Sequence, residues 1–198
     1  MAGGAVEVRA LTPSRWDDLV DLFGPRGAVT GCWCMYWRQP RPVWREHTNE
    51  GNRRQMRRIV TAGRRPGLIA YRDGKPVGWV SVAPRDEYTR LEDSQTLARV
   101  DDKPVWSVVC FYIRTGQRGK GVGTALLKAA IDEAASRGAR IVEAYPVDPA
   151  SGKTSNADAY TGVLKMYERA GFREVARRRG RPMMRKTLRA KRKTSARV

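Results

Sequence analysis

Apolar and polar positions alternate at Val6 and Val8, the period of a short half-buried strand. Thr12-Pro13 then supplies a helix cap and a first residue with fixed φ, and Gly24-Pro25 closes the segment. Between them Trp16, Leu19, Val20 and Phe23 recur at helical spacing. Residues 27–41 have no period but are aromatic, with Trp33, Tyr36 and Trp37 around Cys32 and Cys34. A helix is predicted over about 43–62, with Met56, Ile59 and Val60 inward and its arginines outward. Residues 67–72 and 76–82 read as two strands joined by Asp73-Gly74, a strong hairpin signal. The stretch 84–104 is polar, with a helical turn at 86–91. Residues 105–113 are almost continuously apolar, as in a strand covered on both faces, which predicts a central position.

From Gly121 to about Arg137 the helical period returns through Val122, Ala125, Leu126 and Ala129, and Gly138 closes the helix. A strand at 140–145 is stopped by Pro146 and Pro149. A helix over about 156–170 ends at Gly171, and strands at 172–179 and 182–188 turn at Gly180. The order predicts a mixed α/β fold with one core and no internal repeat. We take 1–188 as one domain and 189–198 as a basic, disordered tail.

The chain has 198 residues and a formal net charge of +19. Such a balance first suggests a nucleic-acid partner, but the charge is uneven. Residues 173–198 hold twelve basic side chains against Glu174, which accounts for +11. The tail is therefore the place for a polyanion contact. No apolar run approaches the roughly 18 residues of a membrane span, so no membrane partner is expected. The odd set Cys32, Cys34 and Cys110 shows no disulfide framework, which favours a reducing cytoplasm. Cys32-x-Cys34 with the distant His47 matches no structural zinc spacing, so no metal is expected.

Chemistry concentrates in Gln117-Arg118-Gly119-Lys120-Gly121-Val122-Gly123-Thr124, between the central strand and the long helix. Glycines let a ligand approach the backbone, and N–H groups at a helix start carry partial positive charge. The segment is either an anion cradle suited to a pyrophosphate or a plain strand-to-helix turn. It lacks the lysine of a phosphate-binding NTPase loop, and its last glycine interval is wrong for a dinucleotide fold.

Phe111-Tyr-Ile113 followed by Arg118-Gly-Lys-Gly121-Val-Gly123 resembles the acetyl-CoA loop of the GNAT N-acetyltransferase superfamily. Tyr167-Glu-Arg-Ala-Gly-Phe172 resembles that superfamily's Tyr-Glu-Lys-x-Gly-Phe segment, and the element order agrees over about residues 5–188. The resemblance implies a GNAT-like acyl-CoA N-acyltransferase fold, with a central, mostly antiparallel sheet and helices on both faces. It implies acetyl-CoA as cosubstrate, an amine-bearing acceptor and direct transfer. By the match, backbone groups of Phe111 and Ile113 hold the pantetheine arm and the acetyl carbonyl. The N–H groups of Arg118, Gly119, Lys120, Gly121, Val122, Gly123 and Thr124 hold the pyrophosphate. Tyr167 matches the residue that protonates the departing thiolate. A frequent asparagine of the superfamily is Tyr160 here, with Asn156 one turn upstream as the substitute cofactor contact.

Members of the superfamily often carry a glutamate base on the strand before the loop; here that strand has Cys110 and no carboxylate. Glu143 is the first choice for the base, followed by Asp148 and Glu87; an outward-facing strand residue is the competing reading of Glu143. Cys110 as an acyl-carrying nucleophile and Cys110 as simple packing are both open. Trp33, Tyr36, Glu87 and Tyr145 are the acceptor-side candidates, with Trp37 beside them as part of an aromatic wall and core packing the alternative for the aromatics. Arg53, Arg54, Arg57 and Arg58, if they face that side, favour an anionic acceptor, either a small molecule or a peptide. The rival reading is a nucleic-acid- or ribosome-associated binding protein on this fold, and a hybrid is an acetyltransferase of an RNA-bound amine. The protein is expected to be a monomer or homodimer.

Overall fold

The turn at Asp73-Gly74 starts the sheet. Both residues adopt left-handed backbone, at φ 51° and 73°, as a two-residue hairpin of this twist requires. They join β2 (Gly67–Arg72) to β3 (Lys75–Pro84). The computed structural model describes residues 4–46, 48–151 and 158–188. β1 (Glu7–Ala10) pairs with β2, and β4 (Trp106–Ile113) lies antiparallel to β3. β5 (Ile141–Ala144) runs parallel to β4, and β6 (Arg173–Arg178) and β7 (Arg181–Thr187) complete the order β1-β2-β3-β4-β5-β7-β6. The long apolar run is thus the middle strand of seven.

Helices cover both faces. On one face α1 (Trp16–Phe23), α2 (Arg41–Glu46) and α3 (Asn49–Thr61) bring Trp16, Leu19, Met56 and Val60 against Ile69, Tyr71 and Trp79 of the sheet. A single turn, α4 (Thr89–Glu92), buries Leu91 near the sheet end. On the other face α5 (Val122–Ser136) and α6 (Leu164–Arg169) cover β2–β5, with Leu126, Leu127, Ala130 and Ala134 in the core. α5 lies close because β3 presents Gly78: a Cβ there would meet Val122 Cγ1 at 2.8 Å.

Two helices differ from expectation. The one predicted over 43–62 is two, because Thr48 takes an extended backbone and its Oγ1 accepts from the Gly51 N–H at 3.2 Å. That cap stops any continuous helix and starts α3. Among the described residues of the helix predicted over 156–170, the α-helical part is α6, preceded by a 3-10 turn at Asp158–Thr161. Gly162 separates them at φ +82°, where a Cβ would meet Met166 Cε at 2.7 Å. The tail over 189–198, Asn156 and His47 lie outside the described residues.

Candidate active site

β4 and β5 pair only at Trp106↔Val142, Ser107↔Glu143 and Val108↔Ala144. Beyond Val108 they diverge, and β4 continues to Ile113 with no partner strand on that side. The register fixes what points into the gap. The Arg114 N–H bonds the Val77 carbonyl, with Ile113 opposite Gly78. In an antiparallel ladder hydrogen-bonded residues alternate, so Tyr112 and Cys110 bond β3 while the N–H and C=O of Phe111 and Ile113 face the gap.

The glycine loop opens at the same end. Gly116, Gly119 and Gly121 all have left-handed backbone, at φ 85°, 72° and 80°. Gly121 is the N-cap of α5 and no side chain caps the helix. The first-turn N–H groups of Val122, Gly123 and Thr124 therefore point outward with the helix dipole behind them. Arg118 Nε donates to the Ile113 carbonyl at 3.3 Å, tying the loop to the end of β4. A brace that sequence reasoning missed comes from β2: Arg72 donates to Gln117 Oε1 at 2.5 Å and to the Lys120 carbonyl at 2.9 Å. Hairpin register alone brings Arg72 here, and no local signal marks it.

On the face opposite α5, a cleft of about 650 Å³ reaches the same stretch of β4. Tyr36, Trp37, Trp44 and Tyr160 form much of its wall, Cys32, Cys34 and Cys110 lie in it, and Arg118 stands at its edge. Tyr36 sets its ring edge-on to Trp37 at 5.0 Å and to Trp44 at 5.5 Å. Among the described residues that line it, Arg118 is the only charged side chain. Trp44 and Tyr160 were not among the residues expected to wall a cleft.

The other expected acceptor residues lie elsewhere. Trp33 is in the core, stacked on Trp16 at 6.1 Å with its Nε1 donating to Asn49 Oδ1. Glu87 is bound to Arg38 at 2.6 Å. The outward arginines of α3 are occupied locally: Arg53 and Arg54 approach Glu50, and Arg57 sits over Trp16. None of them lines the cleft.

Glu143 departs most from expectation. It is fully buried, and both oxygens are taken: Oε1 accepts from Arg85 Nη1 at 2.8 Å and from the Tyr145 hydroxyl at 2.6 Å, and Oε2 from Arg185 Nε at 2.6 Å. The outward-facing reading fails as well. Tyr145, expected near the acceptor, is sealed in this cluster, with Ser107 Oγ 2.8 Å from its hydroxyl oxygen. Burial raises the Tyr145 pKa, so its proton stays in place. Arg85 is completed by Glu92 at 3.0 Å and the Leu97 carbonyl at 2.7 Å. A buried ion pair of this kind needs every lone pair and proton matched, and this one comes close. Asp148, the second choice for the base, accepts from Arg177 at 2.7 Å at the surface.

Tyr167 is buried against Phe111 and Phe172, and its hydroxyl donates to the Thr161 carbonyl at 2.8 Å. Burial raises its pKa as well. Among the described residues no His, Cys, Asp or Glu cluster could hold a metal ion, and no helix is long and apolar enough to cross a membrane.

Residues 31–172 match the model of the acetyltransferase (GNAT) family. An uncharacterized N-acetyltransferase of Methanocaldococcus jannaschii is 30 % identical over 102 residues, which cover 52 % of this chain and 36 % of that protein. The match thus spans only about a third of that relative's length. A ribosomal-protein-alanine N-acetyltransferase of Brucella melitensis superposes with a TM-score of 0.52 at 20 % identity, over 92 % of this chain and 99 % of the other. The PaiA N-acetyltransferase of Thermoplasma acidophilum, solved with coenzyme A, gives 0.52 at 13 % identity over 93 % and 99 %. The yncA protein of Salmonella typhimurium, solved with its cofactor acetyl-CoA, gives 0.53 at 16 % identity over 98 % and 99 %. A mixed sheet opened beside its middle strand, an uncapped glycine loop at the open end and a family match over most of the chain agree: this protein belongs to the acetyltransferase (GNAT) family.

Proposed function

We propose that this chain is an acetyl-CoA-dependent N-acetyltransferase acting on an amine carried by an apolar, aromatic-compatible group. The gap beyond Val108 carries the reading, because it brings the free edge of β4 and the uncapped start of α5 to one place. The loop N–H groups from Arg118 to Thr124 bind the pyrophosphate, with Arg118 and Lys120 adding charge. The edge N–H groups of Phe111 and Ile113 hold the pantetheine arm and the acetyl carbonyl. An N–H aimed at the developing oxyanion contributes about 3 kcal/mol to such a transition state. Solved relatives of this fold that hold coenzyme A or acetyl-CoA support the cosubstrate.

The acceptor enters from the opposite face, through the cleft walled by Tyr36, Trp37, Trp44 and Tyr160. Aromatic walls select apolar surface and favour a cation over their faces. The α3 arginines that suggested an anionic acceptor are turned away from this cleft, which favours an apolar amine instead. Tyr167 acts as a positioning residue, since its hydroxyl is held by Thr161. Isothermal titration with acetyl-CoA, followed by coenzyme A release across a panel of aliphatic, aromatic and acidic amines, tests the reading. Binding without turnover of any amine would leave only a cofactor-binding protein; absence of binding would remove the reading altogether.

A further inference from the structure

Three cysteines line one cleft, and Cys110 packs against the cluster that holds Cys34. Trp33 and Cys34 are consecutive non-glycine residues with left-handed backbone, at φ 43° and 59°. That turn delivers the Cys34 sulfur to the sheet, where it accepts the indole N–H of Trp79 at 3.1 Å. Cys110 of β4 donates to the Phe111 carbonyl at 3.8 Å and immediately precedes Phe111, whose N–H faces the gap. Both sulfurs line the cleft through which the acceptor enters. β4 carries no carboxylate, and Cys110 on it and Cys34 beside it bring two thiols to this cleft.

We propose that the Cys34–Cys110 pair handles the proton of the transfer: Cys34 takes the proton that the acetylated nitrogen must lose and delivers it to the departing coenzyme A sulfur. The inference rests on the acetyltransferase reading above. The acceptor reacts as the neutral amine. Its nitrogen forms a bond to the acetyl carbonyl carbon, and the carbon–sulfur bond to coenzyme A breaks with its electron pair on that sulfur. One N–H proton passes to the Cys34 thiolate and from there to the coenzyme A thiolate, so Cys34 ends as it began. Protein thiol and coenzyme A thiol are the same functional group, so this transfer is close to thermoneutral, where general acid–base catalysis works best.

The surroundings place the thiolate on Cys34. The neighbouring Cys110 thiol lowers its pKa, burial opposes, and the Trp79 N–H and the nearby positive charge of Arg38 lower it further. The Cys110 pKa is raised, because the neighbouring Cys34 and burial both disfavour its thiolate. The other titratable groups around them are Cys32, Arg38, Tyr88, Tyr160 and Tyr167. Arg38 is fixed behind the pair by Glu87 and Tyr88, which explains a buried arginine at this point.

Cys34→Ser keeps an acceptor for the Trp79 N–H but removes a thiol whose pKa the surroundings lower. The variant is expected to bind acetyl-CoA within twofold of the parent and to lose about 100-fold in kcat on any amine the parent acetylates. The parent's kcat/KM rises with pH as the thiolate forms, and that limb disappears in the variant. Independently of any acceptor, iodoacetamide at pH 7 followed by peptide mass mapping labels Cys34 at least tenfold faster than Cys32 or Cys110, and acetyl-CoA slows that labelling. Turnover within threefold of the parent with an unchanged pH profile overturns the proposal. Labelling of Cys34 no faster than of Cys32, or a stable acetyl adduct on Cys34 without acceptor, overturns it too. Failure of the parent itself to bind acetyl-CoA is a different result and removes the acetyltransferase reading first.

Discussion

Replacing Glu143 by Gln leaves Arg85 and Arg185 in a buried site short of a counter-charge, since both direct hydrogen bonds to that carboxylate. Breaking such a pair from one side lowers stability by about 3 kcal/mol. Urea denaturation of Glu143→Gln is expected to show that loss while the acetyl-CoA Kd is unchanged; the reverse pattern would return Glu143 to the chemistry. Carboxylates at the surface set the acid limit. Asp101 is held below the usual carboxylate range by its hydrogen bond from Arg185, and Asp148 by its hydrogen bond from Arg177. A depressed folded-state pKa gives stability that is present above the unfolded value, near 4, and is lost as pH falls through the folded one. The urea midpoint is therefore expected to fall below about pH 4, and less steeply in Asp101→Asn. Neither Glu143 nor Tyr145 could be read correctly from its neighbours in the chain. Their partner Arg85 lies 58 and 60 residues away, and a carboxylate on a strand carries no mark of what will face it.

The elements around the glycine loop depend on absent side chains. Gly78→Val would press a Cβ against Val122 Cγ1 at 2.8 Å and Leu126 Cδ1 at 3.1 Å, pushing α5 off β3. We expect a loss of about 1–3 kcal/mol in urea denaturation, and weaker acetyl-CoA binding because the displaced end carries the loop. Gly121→Val meets no atom within 4 Å but sits at φ +80°, so its effect is conformational; a β-branched residue there disfavours the loop by about 1–2 kcal/mol. Titration should show a roughly tenfold rise in Kd. At this scale the sequence is most readable. The hairpin, the middle strand and the glycine loop are each written in a few adjacent residues. The two helices that came out shorter were interrupted by one residue each, Thr48 and Gly162, inside otherwise acceptable periods. A hydroxyl can sit in a helix or cap it, and only the tertiary chain path decides which. Among the aromatics of 27–45, composition did not separate Trp33, which stacks in the core, from Tyr36 and Trp44, which line the cleft.

Across the whole molecule the charge of +19 divides by use. In the last hairpin Arg178 donates to the carbonyls of Ala98 and Arg99, Arg181 to that of Tyr145 and Lys186 to that of Ala170. Those cations tie strands and loops together and so reflect architecture more than any polyanion. Removing residues 189–198 is accordingly expected to leave the acetyl-CoA Kd unchanged, and titration against the full chain checks it. Four strands on one side and three on the other are joined at only three residue pairs, Trp106 to Val108 with their partners on β5. Arg85, Ser107, Glu143 and Tyr145 rivet that closed end, so the two halves form a V hinged at a rigid apex. A molecule lying between the arms staples them, and its occupancy becomes mechanical stiffness. At a hundredfold excess over Kd it adds about 2.7 kcal/mol to folding. That gain should appear as slower amide exchange from Val109 to Ile113, at the unsupported arm, more than at the apex.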